Sequence, residues 1–421
     1  MKKKIVLIIT ITMLMFTLTS CYDAREVTSI CFVQIIGIDQ GITDKWRITV
    51  KVPTMQNEGD SSGKGSESSQ QTQADTITID APSFHGGIDL LNTNMPQKLD
   101  FSHAVLLVIS EDLAQSGLIG EYITPLIRFK EIRRTLNIIV VPGSSEEFVE
   151  KTESYSGDSL SLSVRALLKQ GENTGFYPKI SMNDFYNGIK STYRQSILPL
   201  GSVYKKGEFK EDGKQFNMEF NNTGQYFAGD TPRKGGNSIE LLGCALFDKD
   251  RMVGKLNGHE TRMLMLIRGE FKKGIFTIQD PKAPKWVIPV ATRLSTKPNV
   301  KIYFDDGRPI INLEIKTEGD ILAIQSGIDY ENEKMLTIIE NKMIEYLEDS
   351  IKSVIEKSQT LNIDPFNFGR MAVRHFLTIN EWEDYNWNEK FKVAKVEVKI
   401  DFKIRRTGGL LKTSDDNVRD E

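Results

Sequence analysis

Histidine and cysteine are both scarce in this chain. Four histidines, His85, His103, His259 and His375, are scattered over 421 residues, and no pair stands at zinc-ligand spacing. Three cysteines are too few for a disulfide framework. Cys31 and Cys244 lie far apart, each inside an apolar run, so two buried free thiols are expected, with a single disulfide as the alternative. The G-x-G-x-x-G, P-loop, G-x-S-x-G and H-E-x-x-H patterns are missing. No period of roughly 20–50 residues repeats, which excludes a solenoid. Excess positive charge is missing as well: the formal charge is −3 and the basic residues form no long stripe. That is not a nucleic-acid binder's balance, and it argues against electrostatic docking on an anionic membrane.

Long apolar runs are confined to the N-terminus. Met1-Lys2-Lys3-Lys4 is positive, and residues 5–18 carry no charge. This run is shorter than the roughly 20 residues a spanning helix prefers. Leu18-Thr19-Ser20-Cys21 then places small or hydroxylated residues before a cysteine. A charged start, a short apolar core and small residues at the cut describe an export signal. The final four residues resemble a bacterial lipobox. On that reading Cys21 receives a diacylglyceryl group and becomes the first mature residue after cleavage behind Ser20. Two acyl chains hold a protein firmly where one holds it marginally. The other readings are an uncleaved anchor helix, or an ordinary secretory signal cut elsewhere. Loss of the three leader lysines takes the formal charge from −3 to −6, so lipid rather than charge must anchor the chain.

What is present reads as an α+β, multi-domain protein with mixed or antiparallel sheets and packed helices. After the leader (1–20) comes an N-terminal α+β domain over 21–198. Residues 27–38 are a buried strand, 46–52 its hairpin partner, and 75–80 a further alternating strand. Residues 57–74 contain no large apolar side chain and predict a disordered insert. A helix is expected from Ser83 to about Asn94, a central strand over 101–110, a helix opened by Ser110 as N-cap, and a strand over 131–141. Helices follow near 145–151, 159–170 and 181–193. Residues 199–238, rich in Gly, Lys, Asn and Asp, form a boundary region or small subdomain. The C-terminal α+β domain spans 239–407, with a hairpin at 241–256, a helix at 259–268 and strands near 285–295, 299–304 and 309–317. A long amphipathic helix covers 331–358. In the closing strand Val396, Val398, Ile400, Phe402 and Ile404 face one way and charged residues the other. The tail 408–421 should fray.

Four clusters invite a chemical reading. His259, with Glu260 and Arg262 beside it, suggests a general base, or else a turn and helix start with Glu260 at the positive end. Asp39 and Asp44 suggest a metal site, or turn acids bound to backbone. Glu131-Ile132-Arg133-Arg134 suggests an anion clamp, or a solvated charge cluster. The stripe Leu336, Ile339, Met343, Leu347, Ile351 and Val354 suggests a partner helix, or packing on the domain's own sheet. In each pair the structural reading is the expected one. No catalytic, cofactor or metal residue is assigned.

The segment Cys21-Tyr22-Asp23-Ala24-Arg25-Glu26-Val27, with the apolar strand ending Gly37-Ile38-Asp39, resembles the start of mature Ger(x)C spore germination lipoproteins. Residues 101–118 with 131–135, and 241–269, are similar to the starts of that family's N- and C-terminal regions. Tyr22 stands where the family has Trp, and Ser20 where Gly is commoner. The resemblance implies a non-enzymatic C subunit of a nutrient germinant receptor. It would be lipidated at Cys21 and lie on the outer face of the spore's inner membrane. Its partners would be a transporter-like subunit and a subunit with a large soluble domain. A solute-binding lipoprotein of a transporter and a secreted cell-wall hydrolase are the alternatives. The first requires two α/β lobes, against which an antiparallel-type closing strand argues. The second requires an acid/base pair.

Overall fold

A computed structural model of the chain describes residues 3–5, 27–53, 74–154, 159–204 and 222–408. In the first half the elements run β1 (Ile30–Phe32), β2 (Ile35–Gln40), β3 (Trp46–Pro53), β4 (Ala74–Ala81), α1 (Phe84–Thr93), β5 (Lys98–Asp100), β6 (Leu106–Ser110), α2 (Glu111–Ser116), α3 (Ile119–Arg128), β7 (Asn137–Val141), α4 (Ser145–Lys151), α5 (Leu160–Thr174), α6 (Met182–Ile189) and β8 (Ile197–Val203). Then follow β9 (Ile239–Asp248), β10 (Arg251–Leu256), α7 (Gly258–Arg268), β11 (Lys273–Gln279), β12 (Val287–Leu294), β13 (Asn299–Asp305), β14 (Arg308–Ile321), α8 (Glu333–Thr360), α9 (Gly369–Ala372), α10 (Ile379–Tyr385), α11 (Trp387–Lys392) and β15 (Lys395–Arg406). The class is α+β, as expected, with three sheets among the described residues.

The first large sheet has the order β10-β9-β8-β7-β6-β2-β3-β4. Its centre is parallel: β2, β6, β7 and β8 run the same way. This explains their continuous apolar runs, because a parallel strand is covered on both faces. Alternate residues divide between two cores. Ile36, Ile38, Leu107, Ile109, Ile138 and Val140 face α1, α2, α3 and α6. Ile35, Leu106, Val108, Ile139 and Val141 face α4 and α5. The hairpin expected to open the second domain, β9–β10, hydrogen-bonds onto β8 and so belongs to this sheet. A left-handed Gly243 (φ 87°) makes this possible, since a Cβ there would lie 2.4 Å from the Leu256 carbonyl oxygen.

Charge fixes α4 to the sheet at both ends. Asp39, buried on β2, accepts from Ser145 N (2.8 Å) and Ser145 Oγ (2.6 Å) at the helix N-terminus. Lys51, buried on β3, donates to the Val149 and Glu150 carbonyls (both 2.9 Å) at the C-terminus. An acid at the positive end and a cation at the negative end both complement the helix dipole. Asp39 is thus a helix-docking residue, and Asp44 is exposed and accepts from Lys45 N at 2.8 Å. Burial lowers the Lys51 pKa from its ordinary value.

The second sheet is β11-β12-β14-β13, with β15 along the other edge of β14. Here α8 lays Ile339, Met343, Leu347, Ile351 and Val354 on its own sheet, and Leu336 at the margin. The alternation of β15 holds, but its pairing with β14 is parallel, not the antiparallel type expected. A chain returning through 73 residues of loop and helix can re-enter in either direction, and alternation carries no direction. Strand β11 and helix α3 were not distinguished in the sequence; α3 is separated from α2 by left-handed Gly117. Ser110 stands at the N-cap of α2 without a side-chain capping bond. The expected insert 57–74 lies outside the described residues except for Ala74, as do 205–221 of the boundary region and 409–421 of the tail.

The outer edge of β15 is covered by carboxylates from α8. Glu340 Oε1 accepts from Ile404 N (3.0 Å) and Glu348 Oε1 from Ile400 N (3.3 Å). Such cover blunts a strand edge that would otherwise template aggregation. Glu340→Ala should cost about 1–2 kcal/mol in urea unfolding by orphaning the Ile404 amide. Glu340→Gln should recover most of it, because the exposed Lys403 ion pair contributes little. Equal losses from both variants would refute this.

Candidate functional site

Cys21 and Ser20, the residues of the expected lipid attachment, lie outside the described residues. The described chain resumes at Val27, where a short 3-10 turn leads into β1. Strand β1 pairs in parallel with β5, Ile30 opposite Lys98. Gln97 Nε2 donates to the Thr28 carbonyl (2.7 Å), and the Phe32 and His103 rings meet edge to face at 4.2 Å. Residues 27–32 are therefore held beside the end of the first sheet at which its parallel strands begin.

His259 is not placed as a base. It is buried behind capping residue Asn257, with Nε2 3.2 Å from Ser350 Oγ and Nδ1 3.4 Å from Tyr346 Oη. Burial, then the neighbouring Arg262, pushes its pKa down to about 4. Glu260 closes a capping box with Asn257 and pairs with Lys357 at 2.8 Å. Among the described residues no group of three His, Cys, Asp or Glu side chains could hold a metal. Cys31 and Cys244 are both buried and free, as expected. Burial raises both thiol pKa values, Cys244 to about 12, which leaves them unreactive. Arg133 and Arg134 are exposed on the loop before β7 and form no clamp with Glu131.

Where the two halves meet lies a cavity of about 460 Å3. Its walls come from the α6–β8 loop, the β9–β10 turn and the helices α10 and α11. Asp364, missed in the sequence, holds this junction. It is buried, and accepts from Phe366 N (3.1 Å), Gly369 N (2.6 Å) and Trp387 Nε1 (2.9 Å). Its own N–H donates to Gln195 Oε1 across the seam. Trp382 Nε1 donates to the Thr192 carbonyl (3.0 Å), and its ring stacks on Trp387 at 5.6 Å. Burial raises the Asp364 pKa, against the pull of those donors. The carboxyl ties the 364–369 turn to Trp387, and the backbone N–H joins that turn to Gln195 of the first half; a run of Trp and Phe near 382–391 was the one available signal.

Residues 23–203 match the model of the spore germination protein N-terminal domain. Residues 242–408 match that of the spore germination B3/GerAC-like C-terminal region. Spore germination protein GerQC of Bacillus cereus is 20% identical over 391 residues, 93% of this chain and 96% of its own. Spore germination protein KC of Bacillus subtilis (strain 168) is 23% identical over 415 residues, 97% of each chain. The crystal structure of the GerBC protein shares the fold with a TM-score of 0.51 and 18% identity, over 88% of this chain and 96% of that one.

Proposed function

We propose, since this chain belongs to the spore germination B3/GerAC-like protein family, that it serves as the lipid-anchored C subunit of a spore nutrient germinant receptor. Its role is non-catalytic. It is tethered through Cys21 to the outer face of the spore's inner membrane, and there it binds a transporter-like subunit and a subunit with a large soluble domain. The observation that carries this reading is the ordered pair of family matches, over 23–203 and 242–408. A subunit without chemistry is supported by the way His259 and Asp364 are consumed in packing and hydrogen bonding. Solute delivery would require two α/β lobes; the sheet of the second half is mainly antiparallel, with α8 against it.

The test is copurification. A tag placed beyond Thr407, followed by gentle solubilisation of spore inner membranes, should bring down a multispanning transporter-like protein and a second membrane subunit. Recovery of transporter ATPase machinery would favour solute delivery instead. A second experiment addresses the anchor. Cys21→Ala should abolish acyl labelling and the globomycin-sensitive shift from precursor to mature chain, and should release or mislocalise the protein. Labelling that survives the substitution would sink the lipid anchor.

A further inference from the structure

The Glu131–Arg134 cluster is left unused by the reading above, and so is the position from which the tether leaves. The two coincide. Strands β2, β6 and β7 are parallel and in register at their starts, Ile35 opposite Leu106 and Leu106 opposite Asn137. The loops that precede them therefore share one end of the sheet. Hydrogen bonds confirm the adjacency: Val105 N to the Gln34 carbonyl (2.9 Å), Val33 N to the Asp100 carbonyl (2.9 Å), and Asn137 Nδ2 to the Val105 carbonyl (3.2 Å). Phe129, at the start of the basic loop, packs its ring against Phe101 at 5.8 Å. Residues 27–34, 97–105 and 129–136 thus lie side by side, with strands spaced about 4.8 Å apart.

This end is basic. Lys98, Lys130, Arg133 and Arg134 are exposed there, with Arg128 at the last turn of α3. Among the described residues none of the five makes an ion pair, whereas Lys316, Lys352, Lys395, Lys403 and Arg405 of the other half do. Against these five cations stand Glu131 in the same loop, Asp100, which accepts from Ser102, and Asp184, which accepts from Ser181 Oγ at 2.6 Å, while Asp23 and Glu26 flank Arg25 in the linking segment, so the end stays net positive. The chain runs six residues from Cys21 to Val27. An extended chain of that length spans at most about 20 Å.

We propose that this end of the first sheet is a docking surface for an anionic phospholipid bilayer. The inference rests on the lipid-anchored reading for the direction of the membrane: a diacylated Cys21 would hold this end, and no other, against the headgroups. The negative formal charge of the whole chain does not oppose it. Exposed charges act within a Debye length of about 8 Å at physiological salt, so a local patch outweighs distant acids. Each basic residue at an anionic surface strengthens binding by about five-fold. Anchor and patch together would fix the orientation of the molecule, with β1 and β5 towards the bilayer.

The test uses the full mature chain, residues 21–421, carrying Cys21→Ala so that no acyl group masks the patch. Co-sedimentation is measured with vesicles of phosphatidylcholine alone and with 30% phosphatidylglycerol, at about 0.1 M salt. Binding to the anionic vesicles should be at least ten-fold the stronger, and 0.5 M salt should abolish the difference. Lys130→Glu with Arg133→Glu and Arg134→Glu should bring binding down to the neutral-lipid level. The control reversal of Lys301, Lys334 and Lys399, exposed on the other half, should leave the preference in place. Binding that ignores headgroup charge, or survives the loop reversal, would overturn the proposal. So would a loop reversal that leaves vesicle binding intact but removes copurifying membrane subunits, which would assign the patch to a protein contact. Failure of acyl labelling at Cys21 is read separately and leaves the vesicle result standing.

Discussion

Arg262→Ala should lower the unfolding free energy by about 2–5 kcal/mol, from two carbonyls left without their donor and the void the side chain leaves. Arg262 is 3% exposed and has no carboxylate among its hydrogen-bond partners. Its Nε donates to the Thr174 carbonyl and its Nη1 to the Ile275 carbonyl, both at 2.7 Å. Thr174 is the last residue of α5, so the first contact lies at the negative end of a helix dipole. The guanidinium also lies 3.7 Å above the Phe176 ring and 5.1 Å from that of Phe276. Burial lowers its pKa to about 10, which still leaves it charged at neutral pH. The two carbonyls belong to different halves, α5 before the β9–β10 hairpin and β11 after it. Truncation orphans both at once and opens a void between two rings. Arg262→Lys should recover little, because a single ammonium lacks the planar fork that reaches both oxygens and stacks on Phe176. Urea unfolding decides the matter. A loss below about 1 kcal/mol for the alanine variant would show that water replaces the guanidinium.

Local periodicity made much of this architecture legible. The alternation of 46–52 and 75–80, the Asp248–Asp250 turn, the α8 stripe and the two-faced β15 each carry their element in their own residues, whereas the run 27–38, expected as one strand, divides into a 3-10 turn, β1 on β5 and β2 in the large sheet. Direction and partnership do not travel in that way. The hydrophobic pattern of β15 is the same whether its neighbour runs parallel or antiparallel, and that of β9 does not say which sheet it joins. The functional side of the chain divides similarly. The expectation at Cys21 rests on a contiguous run, residues 18–21, which lies outside the described residues. Arg262, Asp364 and Gln195 matter because folding brings them to segments 80 or more residues away. Arg262 stands out only as a neighbour of His259, and Asp364 and Gln195 are marked by nothing adjacent to them in the sequence. The basic end of the sheet was hidden for a further reason: whole-chain charge averages over surfaces, whereas a membrane meets one of them.

Acid should reveal the cost of holding His259 neutral. The imidazole is 6% exposed, packed by Tyr346 and Ser350 from α8 and by Arg262 from its own helix. It also lies in the first turn of α7, where the helix dipole opposes a positive charge. Its folded pKa is pushed down to about 4, from an ordinary value of 6.5. Between those values the unfolded chain binds the proton and the folded one does not, so stability falls as pH drops. The contribution is complete above about pH 6.5 and declines by about 3 kcal/mol as pH reaches 4, at 1.36 kcal/mol per pH unit. Paired carboxylates act later. Arg47, with backbone donors from Ile42 and Thr43, holds the Asp80 pKa below the usual range, so its loss falls below pH 4. Burial raises the Asp364 pKa, which acts in the opposite sense within the pH 4–6.5 window, so the histidine is read there as the difference between the native chain and its His259→Gln variant. Urea midpoints taken through it should slope downward in the native chain. His259→Gln retains a donor and an acceptor towards Ser350 and Tyr346 but cannot titrate, so its slope should flatten by most of that amount. An unchanged slope would mean that the pocket opens to water before the ring protonates.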